Sequence, residues 1–382
     1  MQFSYHNPTR IHFGQGQSQQ ISREIPASAK VLVLYGGGSI KRNGIYQQIS
    51  KALTGHQWTE FAGIEPNPSV ETLDKAVELV KAQGIDYLLA VGGGSVIDGT
   101  KYIAAAAQYE GYGWDILSGK HKVRQALPIG VVLTLPATGS ESNAAAVVTR
   151  TATHEKRSFY APAVHPKFAI MDPSVMATLP DRQLSNGIVD AFVHVCEQYL
   201  TYPTGASVQD GFAEVILRNL CLLASHYDQR HSAQWQENMM WNANQALNGL
   251  IGAGVPQDWA THAIGHELTA LFNMDHAQTL AVVLPALLRE QQPGKTRKLE
   301  QMGRNVFDLK GPQLAEQTIQ AIEVLFRSVG VMTTLSDYDI NRHDVATQVL
   351  PAIADHDILP LGEHRDIDLG RCEAILMRSV KG

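Results

Sequence analysis

Three cysteines in 382 residues, Cys196, Cys221 and Cys372, are too few and too scattered for a disulfide framework. They suit reduced thiols in a cytoplasm. Charge is also scarce. Only 18% of residues are charged and 44% are hydrophobic, against roughly 25% charged in an ordinary soluble domain. Much of the surface is therefore expected to be buried between domains or subunits, with a homodimer as the expected assembly. The formal charge of -6 and pI of about 6.2 give none of the basic footprint of a nucleic-acid binder. No run of eighteen apolar residues appears, so no membrane span is expected. The opening MQFSYHNPTRIHFG lacks a basic start followed by an apolar stretch, so no secretory signal is expected. Several motifs are missing too. There is no G-x-G-x-x-G, no G-x-x-x-x-G-K-[ST] and no G-x-S-x-G. The zincin motif H-E-x-x-H begins at His266 and Glu267 but fails at Ala270. No repeat array or low-complexity tract is present.

What is present divides into two rhythms, and the length suits about two domains. Up to residue 178 short apolar runs alternate with glycine turns and helical patterns: VLVLY (31–35), YLLAV (87–91), IGVVLTLP (129–136) and FAIMDP (168–173). Between the first two, Leu73, Ala76, Val77 and Val80 recur at helical spacing before Gly84. Strand, turn, helix, strand is the pattern of a parallel α/β sheet. From residue 179 the pattern is helical. SNGIVDAFVHVCEQYL, ASVQDGFAEVILRNLCLLASHY, NANQALNGLIGAG, THAIGHELTALF and TLAVVLPALLREQQ follow one another with no convincing strand. In the second of these, Val208, Phe212, Val215, Ile216 and Leu223 are expected on one stripe, and 290–310 is expected to be an exposed helix. The expectation is an α/β domain over 1–178 and an all-helical domain over 179–382.

Three glycine turns follow successive apolar runs: YGGGSIK (35–41), VGGGSVID (91–98) and PATGSES (136–142). Ligands of open parallel sheets sit off the carboxyl ends of the strands, where glycines let backbone N–H groups approach a phosphate. One such turn would be only a turn; three in successive positions point to a phosphate-bearing ligand. In the first turn Gly37, Gly38 and Ser39 are followed by Lys41 and Arg42 and by no acid. A dinucleotide site for NAD commonly places an acid on the ribose 2′-OH, and one for NADP replaces it. The turn thus reads either as an NADP site or as a solvated helix start.

The helical half carries a cluster of imidazoles. HAIGHELTALFNMDH holds His262, His266 and His276, and GIVDAFVH places Asp190 and His194 four apart. Residues four apart share a helix face, and His276 lies beyond a break at FNMD. A carboxylate with two or three imidazoles from several helices suits Fe²⁺ or Zn²⁺. The alternative is an Asp–His hydrogen bond beside buried structural histidines.

The combination of GGGSVIDGTK, PATGSESN, the Asp190–His194 pair and the His262, His266, His276 run resembles the iron-containing, or group III, alcohol dehydrogenases over essentially the whole chain. GIEPNP, ALNGLIGAGVPQDWATH and GHELTA are similar to the bacterial NADPH-dependent aldehyde reductases and butanol dehydrogenases of that family. The resemblance implies a dinucleotide-binding α/β domain, an all-α metal domain of the dehydroquinate synthase-like plan, and an active site in the cleft between them. It implies Asp190, His194, His262 and His276 as ligands of one divalent metal, iron or zinc, with His266 turned to nicotinamide and substrate. Gly93, Gly94, Ser95, Val96 and Asp98 would line the pyrophosphate and nicotinamide ribose. Thr134, Thr138, Ser140 and Asn143 would lie along the nicotinamide, and Asn67 with Lys156 or Arg157 would touch the cofactor. Family members often carry an acid at the end of the first turn; Ser39 in its place agrees with NADP(H).

The activity implied is hydride transfer between NADPH and small aldehydes, with the metal polarising the carbonyl and His266 as proton donor. Trp259, one turn before His262, either walls the pocket or packs in the core. Rival readings are a glycerol dehydrogenase-like polyol dehydrogenase, a dehydroquinate synthase-like lyase, or a non-catalytic NADP sensor. His194 argues against the first two, which resemble a three-ligand arrangement.

Overall fold

The computed structural model describes residues 1–381. Two compact units emerge. One comprises His6–Pro180 with His231–Asn244; the other comprises Met1–Tyr5, Asp181–Arg230 and the chain from Gln245 onward.

The first unit is built on a six-stranded sheet. Its strands are β1 (Arg10–Phe13), β2 (Lys30–Tyr35), β3 (Gln57–Phe61), β4 (Tyr87–Gly92), β5 (Ile129–Leu133) and β8 (Phe168–Met171), in the order β1-β8-β5-β4-β2-β3. Every pairing in it is parallel. The central strands β4 and β5 are buried along their whole length, as expected of parallel strands covered on both faces. A separate antiparallel hairpin joins β6 (Ala145–Arg150) to β7 (Glu155–Tyr160). Helix α1 (Ile45–Ala52) follows β2, α2 (Val70–Gln83) precedes β4, and α3 (Gly94–Ala106) leaves it. In α2 the expected stripe is realised: Leu73, Ala76 and Val80 are buried. The Ser69 hydroxyl caps the first turn by accepting from the Thr72 N–H, and Gly84 stops the helix at φ 63°. Tyr35, Val33, Leu89 and Ile170 share one core with Ile45 and Ile49 of α1.

Strand order matters for function. The chain runs from β2 outward to β3 and then returns across β2 to β4. That reversal is a topological switch point, where open parallel sheets bind ligands. The three glycine turns leave β2, β4 and β5, which are neighbours, so all three gather on one edge of the sheet.

The second unit is helical. Its main helices are α4 (Asp181–Tyr199), α5 (Ser207–Ser225), α7 (Ala260–Phe272), α8 (His276–Glu290), α9 (Gln292–Phe307), α10 (Leu314–Ser328) and α11 (Leu369–Arg378); α6 (Ala233–Ala246) precedes α7. Among the described residues no strand follows β8. Helix α8 packs on α7, α4, α10 and α11. Ile264 and Leu268 of α7 share a core with Val283 and Leu287 of α8 and Ile375 and Leu376 of α11.

Three expectations need correction. In α5, Ile216 and Leu223 are buried, whereas Val208, Phe212 and Val215 are exposed, so the stripe is two faces. Helix α9 is not simply exposed: Leu299, Met302 and Val306 are buried, and so are Lys295 and Lys298, whose polarity in the sequence disguised that face. The helix through NANQALNGLIGAG stops at Ala246, because Gly249 and Gly254 adopt φ of 90° and 72°, outside helical space.

Candidate active site

In the α/β unit the second glycine turn is shaped by close packing. Gly94, the first residue of α3, has the Thr138 side chain 2.6 Å from where a Cβ would lie. Only glycine lets α3 begin against the third turn, and the helix N-terminal N–H groups face the end of β4. Asp98, one turn in, accepts from the Ser140 hydroxyl at 2.5 Å and from the Val147 N–H at 3.0 Å. Thr138 Oγ1 accepts from the Ser140 N–H at 3.2 Å, and the Asn143 amide donates to the Thr138 carbonyl. The Thr134 N–H donates to the Gly92 carbonyl at 3.0 Å, which joins the ends of β4 and β5. Ser95 is half-buried and Val96 is buried.

The centre of this network is a residue that the sequence reading passed over. Lys101, fully buried, donates to Ser140 Oγ at 2.7 Å, Asn143 Oδ1 at 3.0 Å and the Ala145 carbonyl at 2.7 Å. Three N–H groups meet three acceptors, which ties α3 to the third turn. Glu141 and Ser142 of that turn also accept from the Asn244 amide, each at 2.7 Å. Lys101 stands three residues beyond Asp98 in GGGSVIDGTK, and a lysine on a helix made mostly of small and apolar residues is the signal that could have revealed it.

Asn67 holds φ 54° and accepts from Lys156 Nζ at 2.9 Å, so these two residues are brought together, while Arg157 pairs with Glu155 at 2.5 Å. In the first turn Gly38 sits at φ 83°, followed by Ser39 and Lys41 in a short turn of helix. Gly37 leaves open space beside it. The acid absent from this turn in the sequence is supplied from β3: Lys41 Nζ pairs with Glu60 Oε1 at 3.0 Å.

In the helical unit Asp190, His194 and His262 are buried together, with one donor atom from each within 4.8 Å of the others. Asp190 Oδ1 lies 3.5 Å from His194 Nε2 and 3.7 Å from His276 Nε2, and this buried oxygen accepts no hydrogen bond. Both separations exceed an ordinary N–H···O bond. They match donors around one cation, since bonds of about 2.1 Å set tetrahedral neighbours about 3.4 Å apart. The rings of His262 and His276 are 5.0 Å apart, and those of His194 and His262 are 4.8 Å apart. The donor set fits a divalent ion.

The local sequence explains the convergence. Asp190 and His194 stand one turn apart on α4. His276 is the first residue of α8, after α7 ends at Asn273 in the left-handed region and Asp275 closes a capping box with Gln278. His262 is oriented by Glu197, whose carboxylate contacts its Nδ1 and accepts its backbone N–H at 3.2 Å. Nε2 is then the nitrogen that can serve as a donor to the cluster. Burial pushes the Glu197 carboxyl well above its usual range, and the nearby Asp258 adds to this. Glu197 was legible in principle, three residues after His194 on the same helix face. Behind it, Asp258 caps α7 through the Ala260 N–H at 3.1 Å and accepts from the buried Lys295 at 3.0 Å.

His266 is buried one turn beyond His262, its ring 6.2 Å from that of His262 and 5.5 Å from that of His276. Trp259 is half-buried with its ring against His262 and His194, at 5.3 and 6.3 Å.

A switch-point sheet edged by glycine turns and a helical unit with a carboxylate–imidazole cluster are the two halves of a known plan. The chain belongs to the iron-containing alcohol dehydrogenase family: residues 8–173 match iron-containing alcohol dehydrogenase and residues 185–380 match the C-terminal domain of that family. Among its relatives is the NADPH-dependent aldehyde reductase YqhD of Escherichia coli, 49% identical over 380 residues and 96% of each chain. Another is a probable NADH-dependent butanol dehydrogenase of Bacillus subtilis, 40% identical over 92% of this chain and 93% of the relative. A crystal structure of E. coli YqhD superposes with a TM-score of 0.97 at 48% identity, covering 99% of this chain and 98% of that one. The NADH-dependent butanol dehydrogenase A of Thermotoga maritima gives 0.94 at 34% identity, covering 100% and 99%.

Lys101 yields a test of the α/β half. Burial pushes its ammonium down to about 8, against the pull of Asp98 and Glu141. Between that value and the unfolded value of about 10.4, the unfolded chain binds the extra proton, so stability rises with pH across this window. Below it both states are protonated and the penalty is constant. Urea midpoints of the parent and of Lys101→Met should therefore diverge in favour of the parent between pH 8 and pH 10. Parallel curves would contradict the account.

Proposed function

We propose that this chain is an NADP(H)-dependent alcohol dehydrogenase that acts as a reductase of small aldehydes, in the cytoplasm and as a homodimer. The observation that carries the reading is the buried Asp190 oxygen between two imidazole nitrogens at metal-donor spacing, in a chain that also gathers three glycine turns on one sheet edge. Family membership and the 49% identical NADPH-dependent aldehyde reductase support the activity. The three free cysteines and the low charged share support the compartment and the assembly. Among the described residues no helix is long and apolar enough to cross a membrane.

Residues 1–178 hold the cofactor in this reading and residues 179–382 the metal. When bound, Fe²⁺ or Zn²⁺ supplies Lewis acidity toward a carbonyl oxygen and NADPH supplies the hydride. Asp190, His194, His262 and His276 hold the ion, and Glu197 keeps the His262 ring turned so that Nε2 is the donor. His266 gives the proton that the reduced carbonyl oxygen takes up. Gly93, Gly94, Ser95, Val96 and Asp98 hold the pyrophosphate and nicotinamide ribose; Thr134, Thr138, Ser140 and Asn143 orient the nicotinamide; Asn67 and Lys156 steady the cofactor as a hydrogen-bonded pair. Gly37, Gly38, Ser39 and Lys41 take the adenosine ribose and its 2′-phosphate.

Oxidation of NADPH by butanal, with and without a chelator, separates this reading from a sensor, which would bind NADPH without turnover. NADPH should be preferred clearly over NADH, and Ser39→Asp should weaken NADPH by repelling the 2′-phosphate. Equal catalytic efficiency with both cofactors in the parent would remove the assignment of the first turn.

The histidines divide by metal content. His262→Ala and His276→Ala should lose metal and turnover together. His266→Ala should keep one divalent ion per chain and lose about 10²–10⁴-fold in turnover, the usual worth of a general acid. Metal analysis beside kinetics decides it: an empty His266→Ala with a filled His262→Ala would exchange the two roles.

A further inference from the structure

The first glycine turn contains no acid, yet an acid stands over it. Val33 of β2 pairs in register with Glu60 of β3, and Tyr35 lies two residues further on the same face. Glu60 therefore projects beside Tyr35 at the end of the sheet. Its Oε1 lies 3.0 Å from Lys41 Nζ. The ammonium also sits 5.2 Å from the Tyr35 ring centroid and 4.8 Å from that of Tyr46. Tyr46 is braced in turn by Trp58, their rings 6.2 Å apart.

The cluster is electrostatically closed. Burial alone would push the Glu60 carboxyl up, but hydrogen bonds from Lys41, Tyr46 and Tyr35 outweigh it and hold the carboxyl below its usual range. Glu60 is therefore an anion at neutral pH, bonded to the one ammonium that follows Ser39 by two residues. It remains open to solvent: the Lys41 and Glu60 side chains are 44% and 36% exposed. A 2′-phosphate brings about two negative charges at pH 7. It meets a lysine already paired and a carboxylate of its own sign.

We propose that Glu60 is a specificity-determining residue for the cofactor, because its carboxylate competes with the 2′-phosphate of NADP(H) for Lys41. The inference rests on the reading that residues 37–41 take the adenosine ribose. Two consequences follow from the geometry. The Tyr35 and Tyr46 rings keep Lys41 in place without the carboxylate's charge, so removing that charge frees the ammonium rather than losing it. A glutamine at position 60 keeps an acceptor oxygen near Lys41 and removes only the competing charge.

The test is calorimetric binding of 2′,5′-ADP and of 5′-ADP to the parent, Glu60→Gln and Lys41→Met. Glu60→Gln should tighten 2′,5′-ADP about two- to five-fold, the scale of one exposed ion pair, and leave 5′-ADP unchanged. The gain should shrink as salt rises. Lys41→Met should weaken 2′,5′-ADP and spare 5′-ADP. If Lys41→Met does so while Glu60→Gln binds 2′,5′-ADP no better than the parent, the ribose reading stands and the competition is overturned. If Lys41→Met leaves the two nucleotides undistinguished from the parent, the ribose reading falls and the proposal with it. Thermal unfolding of both variants confirms that they are folded; both side chains lie at the surface.

Discussion

Burying a carboxylate is costly unless opposite charge or hydrogen bonds replace its water. Asp190 is such a group. It lies in the middle of a helix whose residues from Ile188 to Tyr199 are all buried, and its Oδ1 accepts no hydrogen bond. A divalent cation held among its neighbours would answer that cost. His194 comes from the same helix, His262 from α7, and His276 from the first residue of α8. Around these stands a shell of further ionic contacts: Glu197 on His262, and Lys295 on Asp258 at the start of α7. Each outer contact fixes a ring or a helix start rather than adding a donor, which is how second layers of metal sites act.

The α/β unit solves a related problem with opposite sign. Lys101 is a buried ammonium, and its three acceptors come from the third glycine turn and the strand that follows. Asp98 and Asn244 bind the same turn from two other sides. The turn proposed to meet the cofactor is thus framed by groups that are already satisfied among themselves.

Legibility in the sequence followed locality. The buried parallel strands, the helix from Val70 to Gln83 and the helix break before His276 were all readable, because a short window contains the period, the cap or the stop. The Asp190–His194 and His262–His266 spacings were readable for the same reason. Glu60 was not: it is 19 residues from Lys41, and only the register of β3 beside β2 brings them together. Lys101 and Lys295 were also missed, since a lysine in a sequence suggests solvent and only tertiary contacts show it enclosed. The exposed half of α5 failed differently, because apolar residues on both faces of a helix give no sign of which face is covered.

His276 opens a helix, and this has a consequence for how the protein holds its shape. The proposed donors sit on three separate helices, so an ion bound by them is a cross-link of tertiary structure as well as a reagent. An unfolded chain offers no such preformed set, and the free energy of binding is then free energy of folding. At a thousandfold excess over its dissociation constant, a ligand that binds only the native state adds about 4 kcal/mol, a large part of the 5–15 kcal/mol that typically separates folded from unfolded. If the proposed donors hold the ion, the supply of metal would set the stability of the molecule as well as its turnover.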